Sequence, residues 1–279
     1  MKLNKDFWKG RKVFLTGHTG FKGGWLSVFL NYLGANALGY SLKAEQKSFF
    51  NQVGVDSLVN HQEQDIRDLE SLKKLERDFE PEILVHMAAQ PLVRESYRNP
   101  VTTFSTNVLG TVNVLEIARK INSLRCVLVI TSDKSYENIE QKHAYTESDR
   151  PGGRDPYSAS KGCAELVTRA YTASYFSTQR QHLVGVATAR AGNIIGGGDW
   201  AEDRIVPDCV RAWSKGEKVL LRNPRATRPW QHVLEPLSGY LTLAMVLHQR
   251  NELHGEPFNF GPLTHQDHTV LELVQAMSG

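Results

Sequence analysis

Cysteine is scarce in this chain and never clustered. Cys126, Cys163 and Cys209 lie far apart with no C-x-x-C pair, so a disulfide framework and a thiolate metal site are both excluded. The ten histidines include no H-E-x-x-H and no grouping with cysteine at ligand spacing, and no metal is expected. No stretch reaches the roughly 18 uninterrupted apolar residues of a membrane helix. The opening Met1-Lys2-Leu3-Asn4-Lys5-Asp6-Phe7-Trp8 lacks an apolar signal core. No membrane contact is therefore expected, and a cytoplasmic location follows by default. A long basic run is also missing, and the net charge is only +3. That leaves room for anionic ligands but argues against nucleic acid as the main partner. There are no internal repeats and no low-complexity tracts.

What is present is an alternation of short apolar runs with amphipathic segments. Val13–Thr16, Asn36–Tyr40, Ile83–Met87, Cys126–Ile130 and Leu183–Ala187 read as buried parallel strands. Helical patterns occupy Gly23–Leu33, Asp68–Phe79, Pro100–Ile121 and Pro156–Phe176. Strand and helix in turn predict an α/β fold, a Rossmann-type doubly wound parallel sheet, over residues 1–190. Beyond about Asn193 the pattern changes to a glycine-rich loop and mixed short elements. Residues 191–279 are read as a smaller substrate lobe capping the carboxyl edge of the sheet. The sequence stops directly after a helical pattern, so this lobe is expected to be truncated.

Gly17-His18-Thr19-Gly20-Phe21-Lys22-Gly23 follows the first strand and opens the first helix. Glycine is needed where the backbone turns tightly and where a pyrophosphate must approach main-chain N–H groups at a helix N-terminus. Gly17, Thr19, Gly20, Phe21, Lys22 and Gly23 are thus candidate dinucleotide ligands. The acidic residue that usually grips the ribose about 20 residues later is missing. The second strand ends in Tyr40-Ser41-Leu42-Lys43, and Lys43 could meet a 2′-phosphate or be a solvated surface lysine. Asp65 and Ile66 suit an adenine contact, although Asp65-Ile66-Arg67-Asp68 also reads as a helix N-cap run. Ala88 and Ala89, after the Ile83–Met87 strand, are small enough to let a cofactor lie close. Asn107 is either a buried polar support or an exposed helix asparagine.

Asp155-Pro156 is a capped helix start that places Tyr157 and Lys161, four apart, on one face. A tyrosine of ordinary pKa near ~10 is a poor base at neutral pH. Lowering it by ~3 units requires about 4 kcal/mol, which a nearby lysine and an oxidised nicotinamide can supply together. Ser132, at the end of the Cys126–Ile130 strand, would bond the same reacting hydroxyl. The next two residues are the more specific signal. An acid and a base, Asp133 and Lys134, directly after that serine provide what elimination of water needs: one group removes a proton while the other protonates the leaving hydroxyl. A charged turn is the bland alternative.

On these residues the chain resembles the CDP-glucose 4,6-dehydratases, from about Trp8 to its last residues. The resemblance rests on Gly17 through Leu26, Ser132-Asp133-Lys134, Tyr136-Glu137-Asn138, Asp155 through Leu166, Ala191 through Trp200, and Arg228-Pro229-Trp230-Gln231-His232-Val233. The related dTDP-glucose dehydratases carry Asp-Glu where this chain has Asp133-Lys134. Ser135 replaces an expected cysteine, and the chain ends well short of the family's usual length. The resemblance implies NAD as cofactor, CDP-glucose as substrate and CDP-4-keto-6-deoxyglucose as product, a precursor of dideoxyhexoses in surface polysaccharide. It implies Tyr157 as the base of an oxidation at carbon 4, Lys134 as the base at carbon 5 and Asp133 as the acid at the 6-hydroxyl. Hydride then returns to carbon 6. Asn193, Arg204 and Arg228 are implied as substrate ligands. So is a homodimer or homotetramer packing the helices that begin near Pro100 and Pro156. The competing readings are a 4-epimerase or a dTDP- or GDP-sugar dehydratase of the same superfamily, and a non-catalytic NAD-binding sensor.

Overall fold

Side chains alternate between two faces along each apolar run, and helices cover both faces. The computed structural model describes residues 3–139, 144–176, 183–250, 252–262 and 268–278; Met1, Lys2 and Gly279, read above as chain ends, lie outside them. Seven strands form the central sheet: β1 Lys12–Thr16, β2 Asn36–Ser41, β3 Asn60–Glu63, β4 Ile83–His86, β5 Cys126–Ile130, β6 Gly185–Ala191 and β7 Pro257–Phe260. Their order is β7-β6-β5-β4-β1-β2-β3, and every adjacent pair is parallel. This is the Rossmann-type doubly wound sheet expected from the alternation.

The principal helices are α1 Phe21–Leu33, α2 Gly110–Ala118, α3 Pro156–Tyr171, α4 Ile205–Trp213 and α5 Leu234–Gln249. Val13, Leu15, Val85 and Leu128 share one core with Leu26 and Leu30 of α1 and Leu237 and Leu241 of α5. Phe14, Leu84, Val127 and Val129 share the other with Val114 and Leu115 of α2. Each fully buried side chain of this size contributes about 1.5–3 kcal/mol by leaving water, and both layers are needed to hold a parallel sheet.

Three features differ from the sequence reading. The third strand, Asn60–Glu63, is polar and half-exposed at the sheet edge, so it carries no apolar signature. The helix expected over Pro100–Ile121 is interrupted by a π-helical turn, Ser105–Leu109, between Pro100–Phe104 and α2. Residues 191–279 do not form a single lobe: α5 packs on the sheet and β7 extends it beyond β6. Between and beyond these elements lie α4, the helix Val270–Ser278 and two-residue strand pairs.

The strand order reverses between β4 and β1. The carboxyl edge beside such a switch point is the usual ligand site of these sheets. Among the described residues, no helix is long and apolar enough to cross a membrane, and no group of three His, Cys, Asp or Glu side chains is placed to hold a metal ion.

Candidate active site

The glycine loop lies at this switch point, and its shape depends on the missing side chains. Gly17 has φ +79°, and a Cβ there would sit 2.6 Å from the Ala88 nitrogen. A Cβ on Gly23 would sit 2.1 Å from the Gly17 carbonyl oxygen. Gly20 caps α1 without a side-chain hydrogen bond, so the first N–H groups of the helix stay available to an anion. Phe21 and Lys22 begin that helix. Thr19 shares a 2.7 Å hydroxyl contact with Ser41 at the end of β2 and donates to the Leu42 carbonyl.

Asp65 and Ile66 follow β3. The Asp65 carboxylate accepts three hydrogen bonds from Arg67 at 2.9–3.0 Å and a further one at 2.5 Å, and this guanidinium holds its pKa below the usual range. Of the two readings of this run, the cap belongs to Asp68, which accepts from Glu70 and Ser71 N–H. Ile66 is buried against Gly110. Ala88 and Ala89 follow β4, and the Met87 and Ala88 N–H groups donate to Thr16 Oγ1. Asn107 occupies the π turn and is buried. It accepts from Gln90 N–H at 2.7 Å and donates to the Gln90 carbonyl at 3.1 Å and to Ser160 Oγ at 2.8 Å. It therefore ties the loop after β4 to α3.

Ser132, Tyr157 and Lys161 converge above the end of β5, all buried. Asp155 caps α3 through Ser158 N–H, and Pro156 occupies the first turn, as their order in the sequence predicts. Ser132 begins a 3-10 turn over Asp133–Ser135; its Oγ accepts from Lys134 N–H at 3.2 Å and donates to Asp133 Oδ1 at 3.0 Å. Ser132 also lowers the pKa of the neighbouring Tyr157 hydroxyl. Asp133 is half-buried and Lys134 is exposed. Lys161 donates to the Ile130 carbonyl at 3.4 Å.

The charges of this cluster are perturbed mainly by loss of water. Burial raises Asp133 above the ordinary carboxyl range, opposed by Lys134, Ser132 and Lys22. Lys161 is lowered to about 7, by burial first and then by the charge of Lys22. Lys22 is lowered to about 8, by burial and by Arg204. Tyr157 is raised to about 12, with burial outweighing the Ser132 hydrogen bond. The lowering expected from Lys161 is therefore not supplied by the protein alone, because desolvation of the phenolate is the larger effect.

The remaining candidates come from the segment after β6. Asn193 follows β6, and its carbonyl accepts from Gln231 N–H. Arg204 precedes α4 and pairs with the buried Asp199; its charge acts on Lys22 and Tyr157. Arg228 is exposed and donates to the Thr227 carbonyl. The Gly196–Trp200 loop is held against α1: Trp25 Nε1 donates to Gly197, and Phe49 stacks on Trp25 beside Gly198.

Two supports had no local signature. One is a buried network in which Glu165 of α3 accepts from Thr131, from Thr188 at 2.7 Å and twice from Arg190 at 2.9 and 3.0 Å. Arg190 also donates to the Tyr136 hydroxyl at 2.7 Å, which donates to Asn259 at 2.6 Å. Thr131 and Tyr136 flank the Ser132–Ser135 turn, so this network fixes both its ends. The other is Tyr240 of α5, fully buried, with Lys22 Nζ 5.9 Å from its ring centre. Such a residue inside an apolar helix reads only as core.

A sequence profile described as the NAD dependent epimerase/dehydratase family matches residues 13–261. The chain is 49% identical over 278 residues to a CDP-glucose 4,6-dehydratase of Salmonella typhimurium, covering 99% of this chain and 77% of that one. It is 25% identical to a CDP-paratose 2-epimerase of Salmonella typhi, covering 95% and 83%. Among solved structures, it is similar to a double mutant of the dTDP-glucose 4,6-dehydratase of Streptomyces venezuelae with NAD bound. There the TM-score is 0.79 at 25% identity, with 95% of this chain and 79% of that one covered.

Proposed function

The chain belongs to the NAD-dependent epimerase/dehydratase family, and from that premise we propose that it is a hydro-lyase converting CDP-glucose to CDP-4-keto-6-deoxyglucose. The observation that carries this reading is the acid Asp133, which accepts a hydrogen bond from Ser132 in the same cluster as the buried Tyr157, with Lys134 beside it. An alcohol oxidation alone needs no such acid. The 49% identical relative, a CDP-glucose 4,6-dehydratase, supports the choice of sugar nucleotide.

Gly17 brings the loop against the Ala88 backbone, where a Cβ would collide, and the uncapped N-terminus of α1 that follows suits a dinucleotide pyrophosphate. Gly17, Thr19, Gly20, Phe21, Lys22 and Gly23 would hold the pyrophosphate of NAD, Asp65 and Ile66 its adenosine, and Ala88, Ala89 and Asn107 the wall beneath it. When bound, NAD takes and returns the hydride, and its positive ring offsets the burial that holds Tyr157 near 12.

The chain's own residues move the protons. Tyr157, aligned by Ser132 and assisted by Lys161, removes the proton of the 4-hydroxyl. The resulting ketone acidifies the proton on carbon 5, which Lys134 removes as Asp133, its pKa raised by burial, protonates the departing 6-hydroxyl. Asn193, Arg204 and Arg228 would hold the diphosphate. In this reading the sheet, with α5 and β7, supplies the cofactor side and the rest of 191–279, α4 and the helix Val270–Ser278 included, the sugar-nucleotide side, in the cytoplasm. Tyr97, Val101, Leu109 and Leu166 are more than half exposed near the helices that start at Pro100 and Pro156, which supports a homodimer through those helices.

Incubation with CDP-, dTDP-, UDP- and GDP-glucose plus NAD, followed by NMR of the products, tests the activity. The CDP sugar should yield a 4-keto-6-deoxy product without net NADH. Stoichiometric NADH, or a carbon 4 epimer that keeps its 6-hydroxyl, would refute it.

A further inference from the structure

We propose that Trp25 is a positioning residue for the sugar nucleotide: from the helix that receives the cofactor, its indole N–H fixes the glycine loop between Asn193 and Arg204. The inference rests on the diphosphate contacts proposed above and adds the group that places them.

The loop cannot hold its own shape. Gly196-Gly197-Gly198 is three glycines in succession, and glycine loses more backbone freedom on ordering than any other residue. The near end is fastened by the parallel two-residue strands Ile194–Ile195 and Gln231–His232. The far end is fastened by Asp199, whose carboxylate pairs with Arg204 and accepts from Ala201 N–H at 3.3 Å. Between these two points the glycines meet side chains of α1 and of the short helix Phe49–Val53.

Phe21 and Trp25, four apart, share one face of α1. The Phe21 ring lies against Gly196, where a Cβ would sit 3.0 Å from its Cζ. Trp25 Nε1 donates to the Gly197 carbonyl at 2.9 Å. Phe49 stacks on the Trp25 ring at 4.7 Å, with 18° between the planes. Gly198 has φ +81°, and a Cβ there would sit 2.5 Å from Phe49 Cδ2, so a side chain is excluded twice over. The Trp25 ring also meets the His232 ring edge-on at 6.4 Å. One side chain therefore touches both the glycine loop and the segment that carries Arg228.

One helix thus faces both ligands. Its uncapped N-terminus is offered to the cofactor pyrophosphate, and about one turn further on Trp25 grips the loop that joins Asn193 to Arg204. Loss of the indole N–H frees the middle of that loop, and both proposed ligands lose their fixed place. Both are assigned to the diphosphate, so binding suffers ahead of chemistry.

The test compares the full chain as parent, Trp25→Phe and Gly198→Ala. Trp25→Phe keeps a ring to stack on Phe49 and removes the donor; Gly198→Ala strains the loop from the opposite side. Dehydration of CDP-glucose gives KM and kcat, and calorimetry gives the Kd of NAD and, for the NAD-loaded chain, of CDP. In Trp25→Phe the KM for CDP-glucose and the Kd for CDP should rise about two- to tenfold, the worth of one hydrogen bond. The change in kcat should be smaller than that in KM, and NAD affinity should hold. Gly198→Ala should show the same pattern at least as strongly. A fall in kcat at unchanged KM, or equal losses of NAD and CDP affinity, would overturn the proposal and leave Trp25 a residue of the fold alone. So would an unchanged KM and CDP affinity in Trp25→Phe. If the parent binds CDP without dehydrating CDP-glucose, the proposed activity fails, while weaker CDP binding in Trp25→Phe still supports the role of Trp25. A parent that binds no CDP overturns both.

Discussion

Glu165→Gln removes one charge from the network beneath the catalytic turn while keeping the side chain's shape. Glu165 and Arg190 side chains are 6% and 5% exposed. The carboxylate accepts from both Arg190 nitrogens at 2.9 and 3.0 Å, from Thr188 at 2.7 Å and from Thr131. Burial lowers the Arg190 pKa but the Glu165 and Tyr136 contacts outweigh it, and a guanidinium stays charged in any case, so it cannot escape by losing its proton. The variant therefore holds an uncompensated buried cation, for which breaking one partner costs about 3–5 kcal/mol. That is a large part of a total stability of roughly 5–15 kcal/mol. Urea unfolding followed by far-ultraviolet circular dichroism measures it, with Arg190→Met and the double variant completing a cycle. Because Thr131 and Tyr136 bracket the Ser132 turn, kcat should also fall, by up to about 10²-fold for a displacement near 1 Å. NAD affinity should hold, since the glycine loop hangs from β1. A loss below about 1 kcal/mol would show that the pair is incidental to stability and refute the reasoning.

Lys134→Met should still form bound NADH and a 4-keto-glucose in a single turnover, while water loss falls by roughly 10²–10⁴-fold, the worth of one general base; stopped-flow absorbance with product NMR checks both, and dehydration at the parent rate would make Lys134 a mere turn residue. Stability should fall on acidification: His18 and His86 are buried with pKa values lowered to about 4 and about 3, whereas in the unfolded chain they take protons near ~6.5. Their neutral forms favour folding above about 6.5, and this contribution is lost as pH falls through 4 towards 3. His86 is held neutral between Thr16 Oγ1 at 2.8 Å and Thr111 Oγ1 at 3.0 Å, and Thr111 donates to Asn107, so it must accept from His86 Nε2–H. Chemical denaturation across that range is the assay, and a flat profile between pH 6.5 and 4 would contradict it. Ser41→Asp should tighten NAD roughly tenfold, the worth of about 1.5 kcal/mol for one charged hydrogen bond to the ribose. Glu63, its register partner on β3, limits the gain; weaker NAD binding, or a parent preference for NADP by titration, would count against this account of the β2 end.

Sequence alone determined the features that arise from local backbone chemistry. Glycines spaced to turn and then open a helix marked the loop at Gly17. The Asp155-Pro156 cap set the start of α3, and with it the shared face of Tyr157 and Lys161. Apolar runs marked the central strands, because a strand buried on both faces needs no polar side chain. An edge strand such as Asn60–Glu63 has no such requirement and left no trace. Tertiary structure decided everything set by distances between remote residues. Glu165 and Arg190 meet because α3 lies over β5 and β6. Lys22 meets Tyr240 because α1 and α5 pack against one face of the sheet. Asn107 turns inward at a π turn because Gln90 and Ser160 satisfy its amide there. Tyr157 stands at about 12 because burial is a property of everything packed around it. Hydrogen-bonding period and turn chemistry are written residue by residue, whereas charge and solvation depend on which distant segments arrive beside them.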